Sequence, residues 1–147
     1  MRIYITIPVK GNPRDILKRF DRQLFEALTP PGVRVELLRF DGSSKGDRIH
    51  VRLFLPILGK QDWVSVITEE KLSEHEAYFV DEGEQLPVFL AKWRHKHLIK
   101  TYQEGSAIVE DITYEAPNKL LGLLLYPLMY VQFAYRKIVY RKVFGKI

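Results

Sequence analysis

The sequence predicts an α+β fold in which an antiparallel sheet of about seven strands curls around a long C-terminal helix, with a short helical pair after the first strand. Three observations predict it. β-Branched and aromatic residues recur at every second position in short runs between residues 33 and 114, turn-forming clusters separate those runs, and after Pro117 the chain becomes helical in pattern and strongly apolar. A sheet with one hydrophobic face has to bury it, and the C-terminal segment is the only element large and apolar enough to do so.

Ile3, Ile5 and Ile7 alternate with Tyr4 and Thr6 as in a half-buried strand, which is expected to stop at Pro8. Ile16, Phe20, Leu24, Phe25 and Leu28 then fall at near-helical spacing behind Asn12 and Pro13, a cap and first-turn pair, and the cluster from Thr29 to Gly32 cannot continue a helix. One broken helix or two short ones satisfy this pattern. Runs near 33–40, 48–55, 62–68, 75–81, 89–101 and 106–114 follow, joined by DGSSKGD, LGK, TEEKLS, DEGEQLP and YQEG, so a meander of hairpins is the economical topology. In the last segment Pro127 is placed in the first turn of a helix running to about Phe144, where its missing N–H costs nothing.

With 147 residues the chain is read as one domain, residues 1–147, large enough to build a core without staples. It has no cysteine, which excludes disulfides, thiolate metal sites and a cysteine nucleophile. The opening MRIYITIPVKGN lacks the order of a secretory signal, and together with the absence of cysteine this leads us to expect a cytoplasmic location. The net charge of +5 is unevenly placed: six of the 23 Lys and Arg lie from Lys119 onward with no acidic residue, leaving 17 against 18 acidic groups before it. The basicity therefore belongs to the C-terminal element, and without an RNA- or DNA-binding module no nucleic-acid partner is expected. Residues 120–135 carry no formal charge, yet the run falls short of the roughly 20 apolar residues of a membrane span.

The stretch KWRHKHLIK, residues 92–100, divides by strand alternation. Phe89, Ala91, Trp93, His95, His97, Ile99 and Thr101 share one face, whereas Leu90, Lys92, Arg94, Lys96, Leu98 and Lys100 share the other. The cationic face is solvated and the aromatic and imidazole face points inward.

Phe79, Val80 and Asp81 with Pro87 downstream, Trp93, His95 and His97 as WxHxH, then Gly105, Ser106, Asp111, Tyr114 and Pro117, and FAYR at 133–136, together resemble the START-like superfamily, also called SRPBCC or helix-grip proteins, and in particular its small bacterial polyketide cyclase and ligand-binding members. The likeness spans the chain in topology and its second half in local motifs. Ser106 stands where the pattern would have Thr, and the segment after Pro117 is more apolar than usual. The resemblance implies an elongated cavity between sheet and helix that binds an apolar molecule, and it does not imply catalysis.

On this reading the expected function is binding of a hydrophobic small molecule, such as a lipid, isoprenoid or aromatic polyketide, as a carrier or sensor without a cofactor. Trp93, His95 and His97 would orient its polar end, with Phe54 and Trp63 from the sheet and Leu124, Leu128, Tyr130, Val131 and Tyr135 from the helix as walls. The alternative is a cyclase or aromatase-like enzyme with His95, His97 and Asp111 as acid–base groups. Asp111 and Tyr114 fall on opposite faces of a regular strand, and an outward Asp111 paired with Arg94 or Lys96 is the simpler expectation. Two His at i and i+2 could share a metal, with Asp111 the nearest third ligand and His50 or His75 behind it, but no known zinc spacing is present and no metal is expected. A third option is a peripheral membrane or interaction protein with a filled core: Arg136, Lys137, Arg141 and Lys142 would make transient contact with an anionic membrane surface, although at 100° per residue they scatter around the helix. GxGxxG, Walker, HExxH and GxSxG motifs are absent, so nucleotide, protease and hydrolase readings have no anchor.

Overall fold

A computed structural model describes residues 1–147. Its elements run β1 (Arg2–Val9), α1 (Pro13–Lys18), α2 (Arg22–Ala27), β2 (Arg34–Phe40), β3 (Arg48–Leu55), β4 (Gly59–Leu72), β5 (Glu76–Gln85), β6 (Lys92–Tyr102), β7 (Gly105–Glu115), α3 (Lys119–Ala134) and α4 (Arg136–Phe144). All seven strands form one antiparallel sheet in the order β1-β7-β6-β5-β4-β3-β2. The meander is as expected, and β1 closes it by pairing with the last strand, Ile3 opposite Ile112 and Ile7 opposite Ile108.

Local chemistry explains where the boundaries differ from the sequence reading. β1 continues through Pro8 to Val9 because it is an edge strand, where a residue without an N–H is tolerated. The helical pair is two helices, each with its own side-chain cap: Asn12 Oδ1 accepts from the Asp15 amide and Asp21 Oδ1 from the Leu24 amide. β4 and β5 run longer than their hydrophobic cores, with register shifts at Val64/Ser65 and Ile67/Glu69. β6 starts at Lys92 instead of residue 89 because the Leu90 amide turns back to the Pro87 carbonyl at 3.0 Å. Phe89, Leu90 and Ala91 thus precede the strand and escape its alternation: Leu90, expected on the outer face, is buried with Trp93, and Ala91, expected inside, is exposed. At the β6–β7 hairpin, Gly105 is required by close approach, since a Cβ there would collide with the Val9 carbonyl oxygen.

The C-terminal helix begins earlier than predicted. Asn118 caps it by accepting from the Leu121 amide at 2.9 Å, and Pro127 lies inside α3. The carbonyl that Pro127 leaves without a donor belongs to Leu123, on the exposed side of the helix where water can serve it. Tyr135 joins α3 to α4 and keeps helical dihedrals, φ −58° and ψ −30°, so the two segments form one nearly continuous arm across the sheet.

The inner face holds two hydrophobic clusters. The larger joins Ile7, Ile16, Phe20, Phe79, Ile99, Ile108 and Tyr140, and the smaller joins Ile3, Leu90, Trp93, Ile112, Tyr114, Met129 and Phe133. Along β6 the inward series reads Trp93, His95, His97, Ile99, and along β7 it reads Ile108, Glu110, Ile112. A belt of polar side chains therefore crosses the interior between the two clusters.

Candidate functional site

The belt is built from three adjacent strands and the helical arm. His95 and His97 are 2% and 4% exposed, and Asp81 on β5 and Glu110 on β7 are 7% and 0% exposed. In the strand register Asp81 lies opposite His95 and Glu110 opposite His97, yet each imidazole bonds the diagonal carboxylate. His97 Nε2 is 2.6 Å from Asp81 Oδ2, and His95 Nε2 bonds Glu110 Oε2. Ionised carboxylates only accept, so both Nε2 atoms carry the proton and donate. The Trp93 indole N–H donates to Asp81 Oδ1 at 3.1 Å, while Tyr140 Oη and Arg136 Nη1 donate to Glu110 Oε1 at 2.7 and 3.1 Å. The two imidazoles stack with centroids 3.6 Å apart, Phe79 stacks on His97 at 4.1 Å, and Phe133 meets His95 edge-on at 5.3 Å.

Burial and partners act against each other here. Burial alone would raise the Asp81 carboxyl, but the hydrogen bond from His97, the electrostatic attraction of the two imidazoles and the Trp93 N–H hold it below its ordinary value. Glu110 follows the same logic more strongly: burial opposes its charge, but Arg136 and His95 hold it well below the usual carboxylate range. Burial and the neighbouring His95 push the His97 ring down to about 4, against the pull of Asp81 and Glu110, so near neutral pH it is uncharged. Tyr140 is pushed well up by burial and by the Glu110 charge, and remains a donor.

A cavity opens beside this belt, lined by Phe25, Leu28, Val35, Ile49, Val51, Leu53 and Trp63 on its apolar side and by Ser65, Asp81, His95, His97, Gln132 and Arg136 on its polar side, with Trp93 and Phe133 between them. Its volume is about 700 Å³, counting its open mouth. Trp63 and Trp93 meet edge to face at 4.6 Å and form one wall.

Of the residues singled out in the sequence, Trp63, Trp93, His95 and His97 meet at this cavity. The others do not. Phe54 sits on the outer face of β3, sandwiched by Arg34 at 4.2 Å and Lys60 at 5.9 Å, because even-numbered residues of that strand point outward. Leu124, Leu128 and Val131 are 63%, 70% and 69% exposed and Tyr130 is 43% exposed. The helix turns Gly122, Met129 and Phe133 inward instead, a face held by the Tyr114 hydroxyl on the Gly122 carbonyl and by Phe133 against Trp93. Tyr135 is half-buried against the larger cluster. Asp111 points outward and is held by Arg2 at 3.0 and 3.1 Å, not by Arg94 or Lys96, so it does not belong with the histidines. His50 lies near Asp62 at 3.3 Å, away from the belt, and His75 lies outside it on the turn into β5.

Four residues complete the belt: Asp81, Glu110 and Tyr140, which were not among the candidate site residues, and Arg136, which was expected at a membrane surface and is instead 12% exposed and paired with Glu110. Asp81 was visible only as part of the family likeness. Glu110 carried a usable signal, because it is the one acidic residue on the apolar face of the run Ser106, Ile108, Glu110, Ile112, Tyr114 in register with Trp93–Ile99.

No family model matches the sequence, and no curated protein matches it. Solved structures do match it in three dimensions. Protein CV1439 from Chromobacterium violaceum superposes with a TM-score of 0.67 at 12% identity, over 100% of this chain and 99% of that one. The ZhuI aromatase/cyclase from Streptomyces sp. R1128 gives 0.59 at 14% identity over 100% and 99%. The di-domain aromatase/cyclase StfQ of the steffimycin biosynthetic pathway gives 0.68 at 14% identity over 98% of this chain, which spans 50% of that protein. Identities this low speak for the fold, and the seven-stranded curled sheet gripping a C-terminal helical arm is that of these proteins: the chain has the START-like, helix-grip fold.

Proposed function

We propose that the protein binds a compact hydrophobic small molecule bearing one polar group, with its apolar body against Trp63, Ile49, Val51 and Leu53 and its polar end at the belt. The observation that supports this is the cavity itself, apolar on one side and met on the other by convergent polar side chains. Its size suits a molecule of one or two rings or a short acyl segment, smaller than a whole membrane lipid. Burying roughly 200 Å² of apolar ligand surface would contribute about 5 kcal/mol before ordering costs. Arg136 and Gln132, both lining the cavity, give the polar end donor and acceptor partners. The test is native purification, solvent extraction and mass spectrometry, followed by fluorescence titration of Trp63 and Trp93 with one- and two-ring phenols and short-chain acids. A stoichiometric extract or saturable quenching is expected; neither one appearing would sink the reading.

Two imidazole–carboxylate pairs beside a cavity also support the second reading, acid–base catalysis of a ring closure. The ring of His97 at about 4 is a weak base at neutral pH, which favours orienting over proton abstraction. Replacing His95 and His97 together by Gln abolishes turnover if they catalyse and only weakens or redirects binding if they orient.

The outer face of α3 supports a contact with an anionic membrane surface. Leu120, Leu124, Leu128 and Val131 form an exposed apolar stripe at helical spacing, where a surface helix is ordinarily polar. Exposed Lys119 stands at its start and Lys137 and Lys142 beyond its end, an arrangement that suits acidic headgroups and disfavours pairing with a second copy. No helix is long and apolar enough to cross a membrane. Co-sedimentation with phosphatidylglycerol vesicles, lost with phosphatidylcholine vesicles and in Leu124→Glu, is the expected result; equal recovery with both vesicles would count against it.

A further inference from the structure

We propose that Asp81, His95 and His97 form a site for one divalent first-row transition-metal ion, open toward the cavity. One ligand atom from each lies within 4.8 Å of the others, and all three residues are buried. His97 Nε2 and His95 Nδ1 are 2.6 and 3.9 Å from the same oxygen, Asp81 Oδ2. A tetrahedral ion with bonds of about 2.1 Å needs its ligand atoms about 3.4 Å apart, a value that the two nitrogen–oxygen distances of 2.6 and 3.9 Å bracket.

The surroundings are those that metal ligands require. Trp93 occupies Asp81 Oδ1 and leaves Oδ2 turned to the histidines. His95 donates its Nε2–H to the buried Glu110, which sets the tautomer and directs the Nδ1 lone pair toward Asp81 Oδ2, the carboxylate–histidine–metal arrangement. No Lys or Arg pairs with Asp81, so its buried carboxylate has no permanent countercharge.

A second, independent observation is His97 Nδ1. It is buried with no hydrogen-bond partner and lies 3.9 Å from Glu110 Oε2, so in the tautomer that donates to Asp81 a lone pair faces an anion. An ion taken at Nε2 moves the proton to Nδ1, which then donates to Glu110. Both imidazoles would then bind through one nitrogen and donate the other N–H to the same carboxylate. The stacked rings have to open by rotation about χ2 to aim both lone pairs at one point, starting from an interplanar angle of 28°. Two nitrogens and one oxygen suit zinc, cobalt or ferrous iron, and the remaining coordination position faces the cavity, where an oxygen of a bound molecule would complete the sphere.

The test is titration of the chelator-treated full chain with Co²⁺, read by its visible ligand-field bands and by quenching of Trp93, with Zn²⁺ as competitor. One Co²⁺ per chain, displaced by Zn²⁺, is expected. Asp81→Asn, His95→Gln and His97→Gln should each lose the bands while His50→Gln keeps them, and Glu110→Gln should weaken binding about 10- to 100-fold. Substoichiometric uptake by the unaltered chain, or bands retained in a folded His95→Gln, overturns the proposal. Should the ligand variants fail to fold, anomalous scattering from Co²⁺-soaked crystals of the unaltered chain decides: a peak among Asp81, His95 and His97 supports the site, and a peak elsewhere or none overturns it. No organic ligand enters these measurements, so their outcome is separate from that of the small-molecule reading.

Discussion

The carboxylate of Glu110 on β7 receives the Arg136 guanidinium at 3.1 Å, and this buried pair ties the junction of the helical arm to the centre of the sheet. Both groups are out of bulk solvent, so removing Glu110 leaves the Arg136 charge uncompensated, and removing Arg136 leaves Glu110 with only the neutral donors Tyr140 and His95. Arg136→Met should destabilise the fold by about 3–5 kcal/mol in urea titration, and Glu110→Leu by a similar amount. The double variant should recover much of that loss; a double variant as unstable as the sum of both would refute the pairing.

Acid should weaken the protein before its surface carboxylates titrate. The folded His97 ring sits at about 4 and the unfolded ring near 6.5, so between these values the unfolded chain binds a proton that the folded chain refuses. Stability is therefore full above about pH 6.5 and falls as pH drops toward 4, by an amount on the order of 3 kcal/mol. Asp81 and Glu110, held below their ordinary values, add further loss as pH falls through their folded values. Urea midpoints at pH 7.5, 6 and 5 should decline in the unaltered chain and decline less in His97→Gln.

The register of α3 can be tested without a ligand. Leu124→Ala and Leu128→Ala, on the exposed stripe, should change stability by no more than about 0.5 kcal/mol. Phe133→Ala, 4% exposed between Trp93 and His95, should cost about 3–5 kcal/mol. Thermal or urea denaturation giving the opposite ranking would mean that the helix is rotated.

The Tyr114 hydroxyl donates to the Gly122 carbonyl at 2.9 Å and fixes the start of the helical arm to β7. Tyr114→Phe removes that bond with little change in shape and should cost about 1 kcal/mol. Faster amide exchange confined to the first turns of α3 would accompany it.

Much of the fold was legible because strand alternation and turn composition are local properties. The β6 stretch from Lys92 to Lys100 sorts its cations and its Trp and His residues onto opposite faces on period alone, and both faces lie as predicted: Arg94 pairs with Glu69 at 3.0 Å outside, while Trp93, His95 and His97 are buried inside. The helical arm was harder. Its residues are apolar around the whole circumference, so periodicity could not choose the buried side, and Leu124, Leu128 and Val131 were as plausible as Met129 and Phe133.

The sequence by itself determined the element order, the inward face of β6 and the concentration of positive charge after Lys119, because each depends on neighbours within a few residues. Only the tertiary structure decided which carboxylates meet the histidines. Asp81, Glu110, Arg136 and Tyr140 come from three separate elements, and sheet register together with the turn at Tyr135 brings them to one point. Asp111, one residue from Glu110, belongs to Arg2 on the outer face. Along a strand a single step reverses the side, and that physical fact separates the buried Glu110 from its exposed neighbour.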